Sequence, residues 1–548
     1  MSNFKDKVIY QIYPKSFYDT NHDGHGDIKG ITKKLDYLAY LGVDYLWLNP
    51  FFISPQKDSG YDITDYRNID PKFGTMEDLE ELIAEAKKRN IYLMFDMVFN
   101  HTSTTHEWFQ KALKGEEKYK NYYIFKKANK DDSLPTNWES KFGGPVWEYV
   151  EKFDEYYLHL FDKTQADLNW KNPDVRKEMI DILNFWIEKG IKGFRFDVVN
   201  LIDKVSFEND YEGIGKRMYT DGPLVHNYLH EMNMKSFGQY ENIVTVGEMS
   251  ATSLKNCVGY TNPDNQELNM TFNFHHLKVD YKNKEKWTLM PFNFQELKDL
   301  FHTWQVGMQK ENGWNALFYN CHDQPRSLSR FGNDKEYHDL SAKMLATSIH
   351  LQRGTPYIYQ GEEIGMTNAY FTNINQYKDV ESINYYHILK KQGLPEKEIY
   401  AILQEKSRDN ARTPMQWNDQ GGFSDVEPWI EMNPNYKTIN VENNINDENS
   451  ILHYYKKLIQ LRKEYRIISE GLYEPLFEKH PQVYAFKRIY NNEEMIVLNN
   501  FYDKDTNVTL DSIKGYDVLL SNYTDHQLST NLPLRPYESI VLYKKCSQ

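Results

Sequence analysis

Cysteine is scarce in this chain: Cys257, Cys321 and Cys546 are the three among 548 residues. An odd number without metal-ligand spacing excludes a disulfide framework and points to a reducing compartment. Long apolar runs are missing too, since no stretch approaches the roughly eighteen uncharged positions of a membrane span. The opening segment, MSNFKDKVIYQIYPKSF, lacks the ordered basic region, apolar stretch and small-residue cleavage site of an export signal. A soluble, cytoplasmic protein is therefore expected. Positive charge is the third shortage: 65 Lys and Arg face 79 Asp and Glu, a formal net charge of −14. That balance argues against nucleic-acid and anionic-membrane partners, and any anionic substrate would need a local cluster of cations. There is no internal repeat and no low-complexity tail.

What the chain does have is apolar residues at 40% and aromatics at 15% over a length that accommodates one large domain with appendages. Short runs rich in β-branched and aromatic residues recur at Val8–Tyr13, Tyr45–Leu48, Ile91–Val98, Gly193–Val199, Ile243–Met249, Leu268–Phe274, Ala316–Cys321 and Pro356–Gln360. Helical patterns fall between most of them. Ile31, Leu35, Leu38 and Leu41 form one stripe ended by Gly42, a C-cap residue. Thr75 caps a second helix with Asp78 three residues on, and Asn172-Pro173 opens a third that Gly190 closes. Eight strands alternating with helices predict a closed (β/α)₈ barrel of the α/β class. Between Asn100 and Trp170 the alternation lapses into a polar, aromatic stretch too long for an ordinary loop. From about Glu470 short alternating runs (Val483–Arg488, Met495–Leu498, Ile540–Tyr543) predict antiparallel strands. The expected organisation is a catalytic barrel over 1–100 and 171–469, an inserted subdomain over 101–170 and a C-terminal β domain over 470–548.

In a parallel barrel the reactive groups sit at the C-terminal ends of strands. The fourth run ends in Gly193-Phe194-Arg195-Phe196-Asp197, where Arg195 and Asp197 share a strand face and the guanidinium favours an ionised carboxylate, as a nucleophile requires. Taken alone, the pair is as often structural as functional. The fifth run ends in Glu248, an acid after apolar residues, where partial burial would hold a proton for a general acid. The seventh leads to His322-Asp323. One acid at a strand end is more often the cap of the next helix, but three on one barrel are harder to explain that way. Two carboxyls about 5–5.5 Å apart suffice for glycoside hydrolysis with retention. The third would position the sugar and stabilise charge. Tyr61 could stack on a sugar ring, with Asp62 and His101 bonding its hydroxyls.

One loop reads as a cation site. Asp19, Asn21, Asp23 and Asp27 place oxygen side chains at positions 1, 3, 5 and 9 of an EF-hand-like loop, with Gly24 at 6 and His25 at 7. The bidentate Glu of position 12 is absent and Gly30 stands there. Hard oxygen donors select Ca²⁺ or Mg²⁺ in a structural role, a reading preferred over a turn merely rich in Asx residues.

The motifs DMVFNH (Asp96–His101), GFRFDVV (Gly193–Val199), VGEM (Val246–Met249), HDQP (His322–Pro325) and RDNARTPMQW (Arg408–Trp417) resemble, in order and over essentially the whole chain, those of the α-amylase superfamily of glycoside hydrolases. The resemblance implies Asp197 as nucleophile, Glu248 as acid/base and Asp323 as transition-state stabiliser. It further implies that Tyr61, Asp62, His101, Arg195, His322 and Arg408 hold the nonreducing-end glucose, and that the Asp19–Asp27 loop binds structural Ca²⁺. No organic cofactor is implied. Within the superfamily, SKFGGPVWEY (Ser140–Tyr149), LFDKTQADLNW (Leu160–Trp170), GKRMYTDGP (Gly215–Pro223) and MTFNFHHLKVDY (Met270–Tyr281) are similar to the trehalose-6-phosphate hydrolases, the α,α-phosphotrehalase branch. The expected substrate is thus a small disaccharide phosphate, with Lys278 and Lys286 receiving the phosphate dianion as point charges. The sister oligo-1,6-glucosidases, which share Val199 and the catalytic set, are the alternative. A catalytically inert barrel acting as a partner subunit would need a membrane span and could dispense with the acids. The chain departs from the family at Cys321, where Asn commonly precedes the His-Asp pair.

Overall fold

A strand that is apolar at every position needs cover on both faces, and a parallel sheet flanked by helices supplies it. The computed structural model of the protein describes residues 4–545, so Cys546 lies outside the described residues. Eight almost wholly buried strands run along the chain: β1 (Ile9–Ile12), β2 (Tyr45–Leu48), β3 (Tyr92–Met97), β4 (Gly193–Phe196), β5 (Val244–Glu248), β6 (Met270–Phe272), β7 (Ala316–Leu317) and β8 (Thr355–Tyr359). They count as one eight-stranded sheet, the α/β class expected from the sequence. Each overlaps one of the eight apolar runs. By its internal contacts the chain separates into two units, one of residues 47–87 and 92–274, the other of the remaining described residues.

In the first unit β3, β4, β5 and β6 pair in parallel, with Arg195 opposite Asp96 on one side and Val246 on the other. A Cβ on Gly193 would lie 2.7 Å from that of Met94, so glycine is required where β4 passes β3. The helix Pro173–Glu188 begins as its sequence predicts: the Asn172 side chain accepts from Asp174 N at 2.9 Å, and Pro173 takes the first helical position. Its buried stripe of Val175, Met179, Leu183, Trp186 and Ile187 faces the sheet core. Trp186 meets Phe52 and Phe95 at centroid distances of 5.4 and 5.0 Å and donates from Nε1 to the Tyr66 carbonyl. Before the helix Met76–Lys88, Thr75 and Asp78 cap each other reciprocally, side chain to backbone in both directions. The segment between β3 and β4 carries the helix Glu107–Lys114 and a three-stranded antiparallel sheet of Phe125–Lys126, Glu155–Leu158 and Trp147–Val150. His101–Ser103 pairs with Gln165–Asp167, which joins the two ends of this segment.

In the second unit β1 and β7 flank β8 in parallel. The single helix expected over the Ile31–Leu41 stripe is two helices, Ile28–Lys33 and Leu35–Leu41. The break falls at Lys34, whose ammonium lies over the Tyr18 and Trp417 rings at 4.2 and 4.1 Å. Gly42 ends the second helix at φ +96°, as its position predicts. The C-terminal runs form a five-stranded antiparallel sheet in which Val483–Tyr490, Glu493–Asn500 and Ser539–Lys545 are central. Val483, Ala485, Ile496, Leu498, Ile540 and Leu542 make its apolar side. Among the described residues no helix is long and apolar enough to cross a membrane.

Removing Trp186 from its ring cluster leaves a cavity that the parallel strands cannot close. Trp186→Ala is expected to destabilise the protein by about 3–5 kcal/mol, against about 1 kcal/mol for Asn172→Ala, read from urea unfolding midpoints.

Candidate active site

Three carboxylates of the first unit converge on one guanidinium. Arg195 points from β4 toward the strand ends, with Nη1 2.7 Å from Asp96 and 2.6 Å from Asp197, and Nη2 2.6 Å from Glu248. Its planar fork of donors suits several carboxylates at once, which an ammonium would not. The rings of Trp47 and Tyr61 cover it at 5.1 and 5.8 Å. Asp96 is also held by Tyr61 Oη at 2.9 Å and Trp47 Nε1 at 3.1 Å, and is 1% exposed. Asp197 and Glu248 remain 8% and 7% exposed, so these two carry the open edge of the cluster. Val198, directly after Asp197, has φ +35°, a region β-branched residues rarely adopt, and its N–H faces Glu248 Oε2 at 3.3 Å.

Burial is the largest influence on these acids. It pushes Asp197 up to about 6 against the pull of Arg195, with Asp96 adding to the rise and a hydrogen bond with Glu248 opposing it. Asp96 rises to about 6 for the same first reason. The sequence reading has Arg195 alone setting the ionisation of Asp197. Instead one cation is shared by three acids, and burial outweighs its pull on Asp96 and Asp197.

Tyr61, Asp62 and His101 lie in the same unit. Asp62 is fully buried and accepts from Ser54 Oγ (3.0 Å), Lys57 N (2.9 Å) and Asp58 N (3.2 Å), fixing the loop that carries Tyr61. Burial pushes the His101 imidazole down to about 4, so it is neutral, with Nε2 3.0 Å from the Tyr61 carbonyl. Behind it is a buried network that sequence reading missed. Lys204 Nζ is 2.7 Å from both Asp167 and Asn100 Oδ1, and Asn100 Nδ2 lies 3.2 Å from His101 Nδ1. Asp167 falls in the quoted LFDKTQADLNW stretch, whereas nothing local in the sequence singles out Lys204.

The second unit holds His322, Asp323 and Arg408 together. Asp323 Oδ1 accepts from Arg408 Nη1 at 3.1 Å and Arg412 Nη2 at 3.0 Å, while Oδ2 lies 3.2 Å from His322 Nε2. Gln11 approaches His322 Nδ1 at 2.9 Å, and the Tyr13 ring stacks on the imidazole. Arg408 also grips Asp379 at 2.6 Å. Although burial opposes it, Asp379 is held well below the usual carboxylate range by Arg408, Arg412 and Lys286. Arg412, Asp379, Gln11 and Tyr13 were not singled out from the sequence, though Arg412 stands one helical turn after Arg408 in the quoted motif. Of the two lysines expected at a phosphate, Lys278 is exposed, while Lys286 is half-buried against Trp287 with its ammonium 2.6 Å from Glu381. Glu381 in turn reaches Arg408 Nε at 3.4 Å.

The Asp19–Asp27 loop is closed by its own acids. Asp19 accepts from the N–H groups of Asn21, His22 and Gly24 and from Ser424 Oγ, and Asp27 accepts from Thr20 and Gly30 N–H. Gly24 has φ +83°, and a Cβ there would meet the Glu427 carbonyl at 2.4 Å. The side-chain donors of Asp19, Asn21, Asp23 and Asp27 are oxygens, which fits a hard cation. The His25 ring turns to Asp23 at 3.6 Å, leaving its carbonyl as the ligand-type group. Among the described residues no three His, Cys, Asp or Glu side chains form a metal cluster, so a cation here would rely on amide and carbonyl oxygens as well.

Two carboxyls at neighbouring strand ends of a parallel α/β sheet, held by one buried guanidinium, suit a glycoside hydrolase. The chain belongs to the α-amylase family: the model of the alpha-amylase catalytic domain matches residues 11–471, and that of the alpha-amylase SusG C-terminal domain matches residues 483–541. It is 54% identical to the trehalose-6-phosphate hydrolase of Bacillus subtilis over 99% of each chain. The oligo-1,6-glucosidase of Parageobacillus thermoglucosidasius is 47% identical over 98% of each. The crystal structure of Bacillus licheniformis trehalose-6-phosphate hydrolase matches with a TM-score of 0.96 and 52% identity, covering 100% of both chains.

The buried ammonium of Lys204 yields a stability prediction. Lys204→Met strands Asp167 without its cation, and a loss of about 3–5 kcal/mol is expected from denaturant midpoints.

Proposed function

We propose that the chain hydrolyses the α,α-1,1 bond of trehalose 6-phosphate to glucose and glucose 6-phosphate with retained configuration. The reading is carried by Asp197 and Glu248, each one residue beyond the paired Phe196 and Gly247 of β4 and β5 and both bound to Arg195. Neighbouring strands run about 4.8 Å apart, which suits the roughly 5–5.5 Å separation of the two carboxyls in retaining enzymes. Asp197 attacks the anomeric carbon while Glu248 gives its proton to the departing oxygen. Glu248 then takes a proton from water, which releases glucose from Asp197. Asp323, polarised by two arginines, is the third acid, stabilising the charge that develops on the sugar. Tyr61, Asp62, His101, Arg195, His322 and Arg408 hold the nonreducing-end glucose.

The printed activities of the Bacillus subtilis and Bacillus licheniformis relatives support trehalose 6-phosphate as substrate. Lys278 and Lys286 receive the phosphate, Lys286 exchanging the Glu381 carboxylate for the dianion. An oligo-1,6-glucosidase is the second reading, and the observation favouring it is that same Lys286–Glu381 pair, which is neutral as it stands. The Asp19–Asp27 loop is where Ca²⁺, or Mg²⁺, would bind, with oxygens drawn from among Asp19, Asn21, Asp23 and Asp27 and from the His25 carbonyl, stiffening the loop. The two described cysteines, Cys257 and Cys321, are buried free thiols, which suits a cytoplasmic location.

Comparing kcat/KM for trehalose 6-phosphate, trehalose and isomaltose, with free phosphate as competitor, tests the substrate. Trehalose 6-phosphate should be preferred, and Lys286→Ala should lower its kcat/KM by about 10–100-fold, leaving isomaltose within about threefold. Preference for isomaltose in the unaltered enzyme would establish the second reading.

The acid limb of the pH–rate profile tests the chemistry. Asp197 attacks only when ionised, and its carboxyl is raised to about 6, so activity should climb as pH rises through that value. Asp197→Asn and Glu248→Gln should each lose about 10³-fold or more in kcat.

A further inference from the structure

Asp323 stands in the connection Cys321–Arg326, which leads from the β7 segment into the helix Ser327–Phe331. A short polar loop presenting a charge does not keep its aim unless its ends are fixed, and here one side chain fastens both. Asn320 accepts from the Ser327 N–H at 2.7 Å and donates through Nδ2 to Ser327 Oγ at 2.9 Å. The same Nδ2 donates to Glu362 Oε2 at 2.7 Å. With an acceptor and two donors engaged, the amide of Asn320 cannot turn over without losing all three bonds.

Glu362, just past β8, is itself held on its other oxygen by Tyr455 Oη at 2.8 Å. Asn320, Ser327, Glu362 and Tyr455 are all buried, around a space of about 10 Å³, too small for a substrate and near the limit for one water. Burial raises Glu362 to about 7, a penalty that a hydrophobic residue of similar shape would avoid. A buried acid that orients an amide at the root of a functional loop contributes orientation rather than stability.

We propose that Asn320 and Glu362 are positioning residues for Asp323, fixing the ends of the 321–326 connection so that its carboxylate stays on Arg408, Arg412 and His322. The proposal rests on the assignment of Asp323 as third acid. Because that acid acts on charge developed in the transition state, and His322 on the same connection is held separately by Gln11, misplacing Asp323 lowers kcat and leaves substrate binding nearly intact.

The test uses p-nitrophenyl α-glucoside, a neutral substrate that bypasses phosphate recognition, and the full-length enzyme with Asp323→Asn as the reference. Asn320→Leu and Glu362→Leu should lower kcat by about 10–100-fold with KM within about twofold. Glu362→Gln, whose carbonyl still accepts from Asn320, should recover activity to within about threefold of the unaltered enzyme. Tyr455→Phe removes a single bond to Glu362 without opening a cavity; it supplies the same reading should the leucine variants fail to fold, with kcat down about 3–10-fold. If Asp323→Asn is fully active, the assignment of the third acid falls and this proposal with it. If Asp323→Asn is inactive while the Asn320, Glu362 and Tyr455 variants match the unaltered enzyme, positioning alone is refuted. Equal loss in Glu362→Gln and Glu362→Leu, or a rise in KM that accounts for the loss, also refutes it.

Discussion

Arg195, 1% exposed, faces Asp96, Asp197 and Glu248 at 2.6–2.7 Å. One positive charge among three carboxyls in a poorly solvated place leaves an excess of negative charge, and protonation relieves it. The guanidinium itself stays charged: Asp96 and Glu248 hold it well above its ordinary value despite burial. Burial lifts Asp96 and Asp197 to about 6, while the shared cation fixes the geometry of the three acids. Asp96, tied down by Tyr61 and Trp47 as well, is the inner member, and Asp197 and Glu248 face outward.

The charged group in the second unit is balanced differently. Arg408, Arg412 and Lys286 pair with Asp323, Asp379 and Glu381, and the buried Asp409 lies beside Asp379. With Arg408, Arg412 and Lys286 about it, Asp379 remains ionised though buried, while the neighbouring Asp409 is pushed up to about 6 by burial and by Asp379. Asp323, its side chain 30% exposed, keeps an oxygen edge toward solvent. The same residue types thus raise Asp96 and Asp197 in one cluster and hold Asp379 low in the other.

The fold was largely legible because a strand buried on both faces must be apolar throughout, which makes β1 to β8 stand out from amphipathic helices. Caps at Asn172 and Thr75 and the stop at Gly42 were readable from local chemistry alone. The break at Lys34 was not, since the Tyr18 and Trp417 rings that draw its ammonium are far from it or lack a periodic signal. In the candidate site, Asp197, Glu248 and Asp323 were legible by position after an apolar run. Lys204, Asp167, Asp379 and Glu381 were not, because each is defined by a partner remote in sequence: Lys204 by Asn100, Glu381 by Lys286. Lys286 was expected to be available for phosphate, and the carboxylate beside it had no signature in the sequence.

That carboxylate alters how selectivity for a phosphorylated sugar would arise on the proposed reading. The net charge of −14 gives a dianion no general attraction to this protein. Lys286 is already satisfied at 2.6 Å, so a neutral disaccharide gains nothing by approaching it and leaves the pair closed. A phosphate carries roughly twice the charge of Glu381 and three acceptor oxygens, and can displace the carboxylate by exchange. Discrimination then rests on the difference between two ion pairs rather than on the strength of one. A carboxylate as competitor lowers affinity for phosphate, and it suppresses weak anions more than a dianion. Freed from Lys286, Glu381 still has Arg408 at 3.4 Å, and Arg408 is bound to Asp323. On the proposed reading, recognition of the phosphate and the setting of Asp323 would be joined through Arg408.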